Sequence, residues 1–364
     1  MKKLLYTLFL QQLFTFCANA QKPEKISTDL SPSKKIRSIF ITLKPGDKKT
    51  AFSLPFSSIA VQDARPDTSK YGFSRKVSRR SVFQYRSAKG IEPEIKHYLN
   101  TRYHKSFDST SANRLLLVLK KLWISSFDSL ELVYTKYART HDLLYFKADV
   151  FFQSGEAWYP VFRYDTVLVL PLKYKSEPDL YIQQALDLFF EKLQPVNFNL
   201  IQNRKFVTRD YIDSTYAVTW QLPIHQADKP AKGVYITYED FKNNRPSYTD
   251  YEVKFERIGD NLYVKEEDGK YYYRNKVWGF CNGEDIFIKM GLNYFPLFRS
   301  QHTWEFYGTN QLRTVDGSLP VFIGPTVPLS FTLFTAGTDA FRFENKLLGK
   351  LRPFQVDPET GKFY

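Results

Sequence analysis

Apolar residues at three- and four-residue spacing mark two stretches of this chain as helical. Ile95, Tyr98, Leu99 and Tyr103 recur in that way behind Glu92-Pro93. Proline suits the first turn of a helix, so the pattern predicts one that begins there. A second helix is predicted over residues 178 to about 193, with Ile182, Ala185, Leu186, Phe189, Phe190 and Leu193 on one face and Pro195 ending it.

Between and before these, the pattern is that of strands. Residues 36–43 and 57–62 are short ones, followed by the turn Asp63-Ala64-Arg65-Pro66-Asp67, where Pro66 pre-sets the backbone. Residues 114–124 begin with an apolar run and read as a buried strand, and 130–137 is a further candidate. Residues 143–153 and 158–170 flank Ser154-Gly155-Glu156, the signature of a hairpin. Residues 36–195 are therefore expected to form a mixed sheet with two amphipathic helices packed on one face. Residues 196–232 have few regular signals and are expected to be a linker.

From residue 233 the texture changes. A short strand leads into a helix that Thr237 and Asp240 can cap and that stops before Pro246. Short aromatic strands with turn residues between them then follow, at 251–258, 262–265, 270–273, 277–281, 285–290, 294–298 and 303–307. Asn282-Gly283 is the best two-residue hairpin turn in the chain. A β-rich domain over 233–310, either an antiparallel meander or a small barrel, is expected, and the fold class is α+β. Residues 317–338 are uncharged, but Pro320, Pro325 and Pro328 break any helix there. Residues 311–364 are expected to be an apolar Pro/Gly-rich segment and a C-terminal tail.

The first twenty residues change the picture. Lys2 and Lys3, a mostly apolar stretch over 4–16 and the small residues Ala18-Asn19-Ala20 form a secretory signal with Gln21 as the mature N-terminus. Residues 21–35 are a polar, flexible lead-in. The chain is therefore expected in the periplasm, on the periplasmic side of the outer membrane, or outside the cell. Phe16 before Cys17 argues against lipidation of that cysteine. Cys281 then stands alone, so packing rather than a disulfide must hold the fold, and 43% hydrophobic residues can supply it.

Charge is unevenly shared. The whole chain is +14, yet residues 21–195 hold 29 Lys+Arg against 18 Asp+Glu, while residues 196–364 hold 21 against 20. The densest run lies between Asp67 and Glu92. Its Arg75, Lys76, Arg79, Arg80, Arg86 and Lys89, interleaved with Tyr71, Phe73, Phe83 and Tyr85, are candidates for contact with an anionic lipid or glycan surface or an envelope partner. A solvated basic loop without a dedicated partner is the plainer alternative. Nucleic acid is not expected as a partner of an exported protein.

No catalytic, cofactor or metal residues are identified. His97 and His104 are seven apart on one helix, too far for one metal ion. His141, His225 and His302 are scattered and no Gly-x-Ser-x-Gly elbow accompanies them. Cys281, beside Trp278 and Phe280, reads as a small buried hydrophobe. Glu266-Glu267-Asp268-Gly269 lacks calcium-loop spacing and reads as a solvated hairpin tip. Tyr272, Trp278 and Trp304 are candidates for an aromatic ligand surface, since consecutive tyrosines at 271–273 must point to both faces of a strand.

The order of a strand ending in Asp63-Ala64-Arg65-Pro66, then Gly72, a helix, a long strand, a hairpin and a closing helix resembles the envelope auxiliary lipoproteins associated with ABC-type transport, over roughly residues 35–195. The resemblance implies an accessory role rather than catalysis, and this chain lacks their lipid-attachment site. Gly233-Val234-Tyr235-Ile236-Thr237-Tyr238-Glu239-Asp240-Phe241 and Val277-Trp278-Gly279-Phe280-Cys281-Asn282-Gly283 are similar to a module of uncharacterised secreted proteins of Gram-negative bacteria. The expectation is a non-enzymatic accessory or binding protein of the envelope. A hydrolase that acts on an envelope polymer through dispersed carboxylates, and a structural component of an envelope assembly, are the alternatives.

Overall fold

The computed structural model describes residues 36–46, 48, 52–76, 81–130, 138–170, 177–218, 220–256, 259–291, 293–308 and 352–364. The signal and lead-in, the candidate strand beyond residue 130, Arg79, Arg80 and the uncharged segment 317–338 lie outside the described residues.

The first sheet has seven strands: β1 (Ile36–Ile41), β2 (Ser58–Asp63), β3 (Gly72–Lys76), β4 (Ser81–Ser87), β5 (Arg114–Leu130), β6 (Ala138–Ser154) and β7 (Ala157–Leu170). Their order is β1-β4-β3-β5-β6-β7, with β2 also alongside β5. β2 runs parallel to the start of β5, from Ser58 opposite Arg114 to Asp63 opposite Leu119. The chain then turns through residues 64–71 and returns as β3, whose Gly72 meets Ile124 farther along β5. Arg65 holds that turn. Its Nε and Nη2 donate to the two Asp63 oxygens at 2.8 Å each, and its Nη1 to the carbonyls of Lys70 and Leu122. The predicted hairpin is β6–β7, closed at Ser154 and Ala157.

Alternation fixes the two faces of this sheet. Leu115, Leu117, Leu119, Leu122 and Ile124 of β5 and Leu144, Phe146, Ala148 and Val150 of β6 point to one side. Helices α1 (Ile91–Arg102) and α2 (Pro178–Glu191) cover that side with Ile95, Tyr98, Leu99, Ile182, Leu186, Phe189 and Phe190. The two helices meet around Asp187, which accepts two bonds from Arg102 at 2.8 Å and one from Tyr103.

Residues 196–232, expected as a linker with few regular signals, are in part helical. They carry α3 (Phe198–Ile201), α4 (Arg209–Val218) and α5 (Pro223–Gln226). Phe198 and Ile201 join the first core. Ile212 and Tyr216 of α4 pack on Leu116, Val118 and Trp158, on the sheet's opposite face, which is open only in part. These helices are short and lean on partners distant in sequence, which is why local periodicity misses them.

The second half has β8 (Gly233–Tyr235), α6 (Tyr238–Lys242), β9 (Tyr251–Glu256), β10 (Gly259–Lys265), β11 (Tyr271–Tyr273), β12 (Gly279–Cys281), β13 (Ile286–Met290), β14 (Asn293–Ser300), β15 (Thr303–Gly308) and β16 (Arg352–Gln355). Thr237 and Asp240 form the reciprocal capping box of α6. The strands form an antiparallel six-stranded sheet, β16-β15-β14-β13-β12-β8, and a three-stranded one, β11-β10-β9. The small-barrel alternative is set aside: two open sheets are present among the described residues. The fold is α+β. No helix of the described residues is long and apolar enough to cross a membrane.

Candidate functional site

The halves meet over an ionic cluster. Lys70 Nζ lies 3.0 Å from Asp67 Oδ2, 2.6 Å from Glu305 Oε1 and 3.2 Å from Ser300 Oγ, and Ser300 donates to Asp67. Asp67, Lys70 and Glu305 are 2%, 4% and 9% exposed. Burial pushes the Glu305 carboxyl up, with Lys70 opposing. Burial also acts on Asp67, but Lys70 and Ser69 outweigh it and hold that carboxyl below its usual value. Two carboxylates with pKa values pulled apart are what an acid–base pair looks like. Here, however, both belong to one lysine in a sealed contact that a polymer cannot enter. The cluster is a latch between the halves. Lys70→Met is expected to cost about 3–5 kcal/mol, because two buried carboxylates lose their cation. Urea unfolding followed by circular dichroism measures it, and a loss under about 1 kcal/mol would contradict the latch.

The open face of the first sheet carries a second cluster, created by a β-bulge. The β5–β6 register shifts between Leu119 and Lys121, so Lys120 and Lys121 both come to the face opposite α1 and α2. The C-terminal tail lies over them. Lys121 bonds Asp357 at 2.5 Å, Lys120 lies 3.1 Å from Glu359, and Lys147 bonds the other Glu359 oxygen. Burial alone would push the Glu359 carboxyl up, but hydrogen bonds from Lys147 and Lys120 outweigh it and hold it below the usual range. Tyr364 packs against Trp123 and Tyr145 with Lys121 over its ring at 4.1 Å. Three cations of the basic first half thereby share two carboxylates of the tail.

Beside this tail the open face holds a pocket of about 470 Å³. It lies at a second register shift, between Val150 and Phe151, and is lined by segments 150–151 and 160–162 of β6 and β7. Its polar lining is Asp149, Arg163, Arg204 and Tyr216. Asp149 organises one wall: Arg163 Nε donates to Oδ1 at 2.8 Å, Tyr216 Oη donates to Oδ2 at 2.6 Å, and Lys120 stands 3.8 Å away. Burial and then the Asp149 bond push the Tyr216 hydroxyl well up, so it stays a donor. Arg204 Nη1 donates to the carbonyls of Pro160 and Val161 at 2.9 and 2.6 Å. Each guanidinium is thus fixed by part of its donor set. The Arg163 side chain is 62% exposed, so its remaining donors are open to solvent. Such an arrangement presents planar N–H forks to a carboxylate or phosphate.

The sequence candidates fall elsewhere. Arg75 and Lys76 lie in β3, paired with Val82 and Ser81, while their side chains, like Arg79 and Arg80, lie outside the described residues. Arg86 and Lys89 are exposed. Trp304 is not a surface residue: it is 8% exposed, stacks edge-on to Phe241 and donates its indole N–H to His225. Trp278 stacks on the same Phe241 at 4.2 Å. Tyr272 stands exposed on β11 and donates to Asp268, so the three aromatic candidates do not share one surface. Cys281 is fully buried and its thiol is pushed up by that burial. His97 and His104 are exposed and bond to Thr101, and no cluster of three metal-ligating side chains occurs among the described residues. Sequence reading missed Arg163, Arg204 and Tyr216. One signal was present: Lys147, Asp149, Arg163 and Asp165 alternate with apolar neighbours and mark a polar stripe.

No family model matches the chain, and neither a curated protein nor a solved structure matches it.

Proposed function

We propose that this chain is an exported, non-catalytic binding protein of the cell envelope whose first domain holds an anionic group in the Arg163–Arg204 pocket. The observation that carries the reading is the pair of anchored guanidiniums on one pocket, Arg163 held by Asp149 and Arg204 by two carbonyls. Asp149 is offset by Arg163, so Arg204 leaves the pocket a positive excess. Residues 1–20 support export, and the resemblance over residues 35–195 supports an accessory role. The hydrolase reading needs carboxylates that a polymer can reach, and the paired Asp67 and Glu305 are buried.

Binding is tested with two probes: vesicles of phosphatidylglycerol in phosphatidylcholine, and inorganic phosphate in solution. Arg163→Gln and Arg204→Gln are each expected to weaken binding about tenfold, with affinity falling steeply as salt rises. Binding of vesicles alone identifies a lipid headgroup as the source; binding of both identifies the phosphate group itself. Affinity that ignores salt, or that falls with Arg86→Gln and Lys89→Gln but not with the pocket variants, removes the proposal.

A further inference from the structure

The three-stranded sheet presents a different surface. Its inner face, with Val253, Leu262 and Val264, packs on Val234, Val277 and Phe280. Its outer face follows from the register: Tyr263 stands opposite Tyr273, Lys265 opposite Tyr271 and Glu252 opposite Tyr263, so these side chains share one side. The Tyr263 and Tyr273 rings are 5.8 Å apart, and Lys254 Nζ lies 4.8 Å over the Tyr263 ring. Tyr271 is pinned by a 3.0 Å hydrogen bond to Asp250, which also sits 3.3 Å from Lys265. Tyr271 and Tyr273 are 42% and 49% exposed, so their rings are open to a ligand.

We infer that this outer face is a second binding site, for a neutral glycan chain that stacks on Tyr263, Tyr271 and Tyr273. A sugar ring offers an apolar C–H face, which lies on an aromatic ring, and a rim of hydroxyls that both donate and accept hydrogen bonds. The tyrosine face matches both. Its rings are held by their neighbours, and Lys254 and Lys265 supply donors where Glu252 and Asp250 supply acceptors. The two cations and two anions cancel, so the complementary ligand is uncharged. That neutrality sets this face apart from the arginine pocket and argues against nucleic acid or an anionic membrane. The same charged side chains argue against a protein partner, whose interface core is depleted in Lys, Glu and Asp.

The test is isothermal titration of the full chain with the neutral linear hexasaccharides cellohexaose, chitohexaose and maltohexaose. At least one is expected to bind, with an affinity that does not change between low and high salt. Tyr273→Ala, at a half-exposed position outside the cores, is expected to weaken that binding at least tenfold. Tyr273→Phe is expected to keep it, because the ring rather than the hydroxyl makes the contact. Arg163→Gln is expected to leave it unchanged, which separates this site from the anion pocket. The inference is overturned if none of the three binds, if Tyr273→Ala binds as tightly as the parent chain, or if binding falls with salt or with Arg163→Gln.

Discussion

Replacing Gly72 by alanine is expected to cost about 4 kcal/mol or more, the largest single loss anticipated for a one-carbon change in this chain. Gly72 is where the chain, coming out of the Arg65 turn, wedges between two strands: it is paired with Tyr85 of β4 and with Ile124 of β5. Its φ is +128°, and a Cβ there would sit 2.1 Å from the Ile124 carbonyl oxygen and 2.7 Å from the Ile124 nitrogen. Backbone, unlike a flexible side chain, cannot swing aside. Relief would require β3 to move off β5, and the adjacent Tyr71 opposes that. It is fully buried, its carbonyl accepts from Ile124 N, and its hydroxyl donates to Glu94 of α1. Gly155→Ala is the control: at φ +61° on the β6–β7 turn, with nothing within 4 Å of the added carbon, it is expected to cost about 1 kcal/mol or less. Urea unfolding of the two variants measures the difference. Equal losses would show that β3 does not meet β5 at Ile124 as described.

The second large effect is a loss of stability in mild acid. His225 is buried, its Nε2 accepts the Trp304 indole N–H at 3.1 Å, and its Nδ1 has no partner. Burial first, then the charges of Arg299 and His302, push its pKa down from 6.5 to about 4. The sign follows from linkage. As pH falls through 6.5 the unfolded chain takes up a proton that the folded chain refuses until about 4. Stability is therefore fully present above 6.5 and is lost progressively between 6.5 and 4, up to about 3 kcal/mol. The lowered carboxyls of Asp67, Asp187 and Glu359 act in the same direction but only below the ordinary carboxylate range. Glu305, raised by burial, acts the other way, since the cost of its ionised form is relieved as pH falls toward its unfolded value. Comparison with His225→Gln, which keeps an acceptor for Trp304, isolates the histidine. The variant is expected to lose the fall in stability between pH 6.5 and 4, keeping only the opposite slope of the buried carboxyls Glu305 and Asp260. An unchanged slope would place the titrating group elsewhere.

Much of the architecture was legible in the chain. Pro93 with its apolar spacing located α1, Pro178 located α2, and Ser154-Gly155-Glu156 and Asn282-Gly283 located two hairpins, because each of these signals is local. What was not legible depends on partners far apart. A strict two-residue alternation puts Lys120 and Lys121 on opposite faces, and only the bulge brings both beneath Asp357 and Glu359. Arg204 reaches the arginine pocket from beyond α3 by hydrogen bonding to carbonyls of β7, a contact that no spacing rule encodes. Trp278 and Trp304 are drawn inward for a related reason. Tryptophan is as suited to a core as to a surface, and Phe241 of the short helix α6 decides for the core by stacking on Trp278 and touching Trp304. The charge excess of the first half was real as a count, but part of it is matched internally by the acidic tail.

These ion-paired lysines narrow where an anion can be held. Lys120, Lys121 and Lys147 face carboxylates of the tail, whereas Arg163 keeps solvent-exposed donors beside the pocket. The proposed binding thus depends less on total charge than on two guanidiniums held at fixed positions, as expected for recognition by forked donors.

The side-chain Nε–Hε resonances of Arg163 and Arg204, followed by NMR while inorganic phosphate is added, give the most direct test. Both are expected to shift together along one saturable curve that weakens as sodium chloride is raised. Shifts that stay linear, or that appear at Arg86 and not at these two arginines, would contradict an anion site in this pocket.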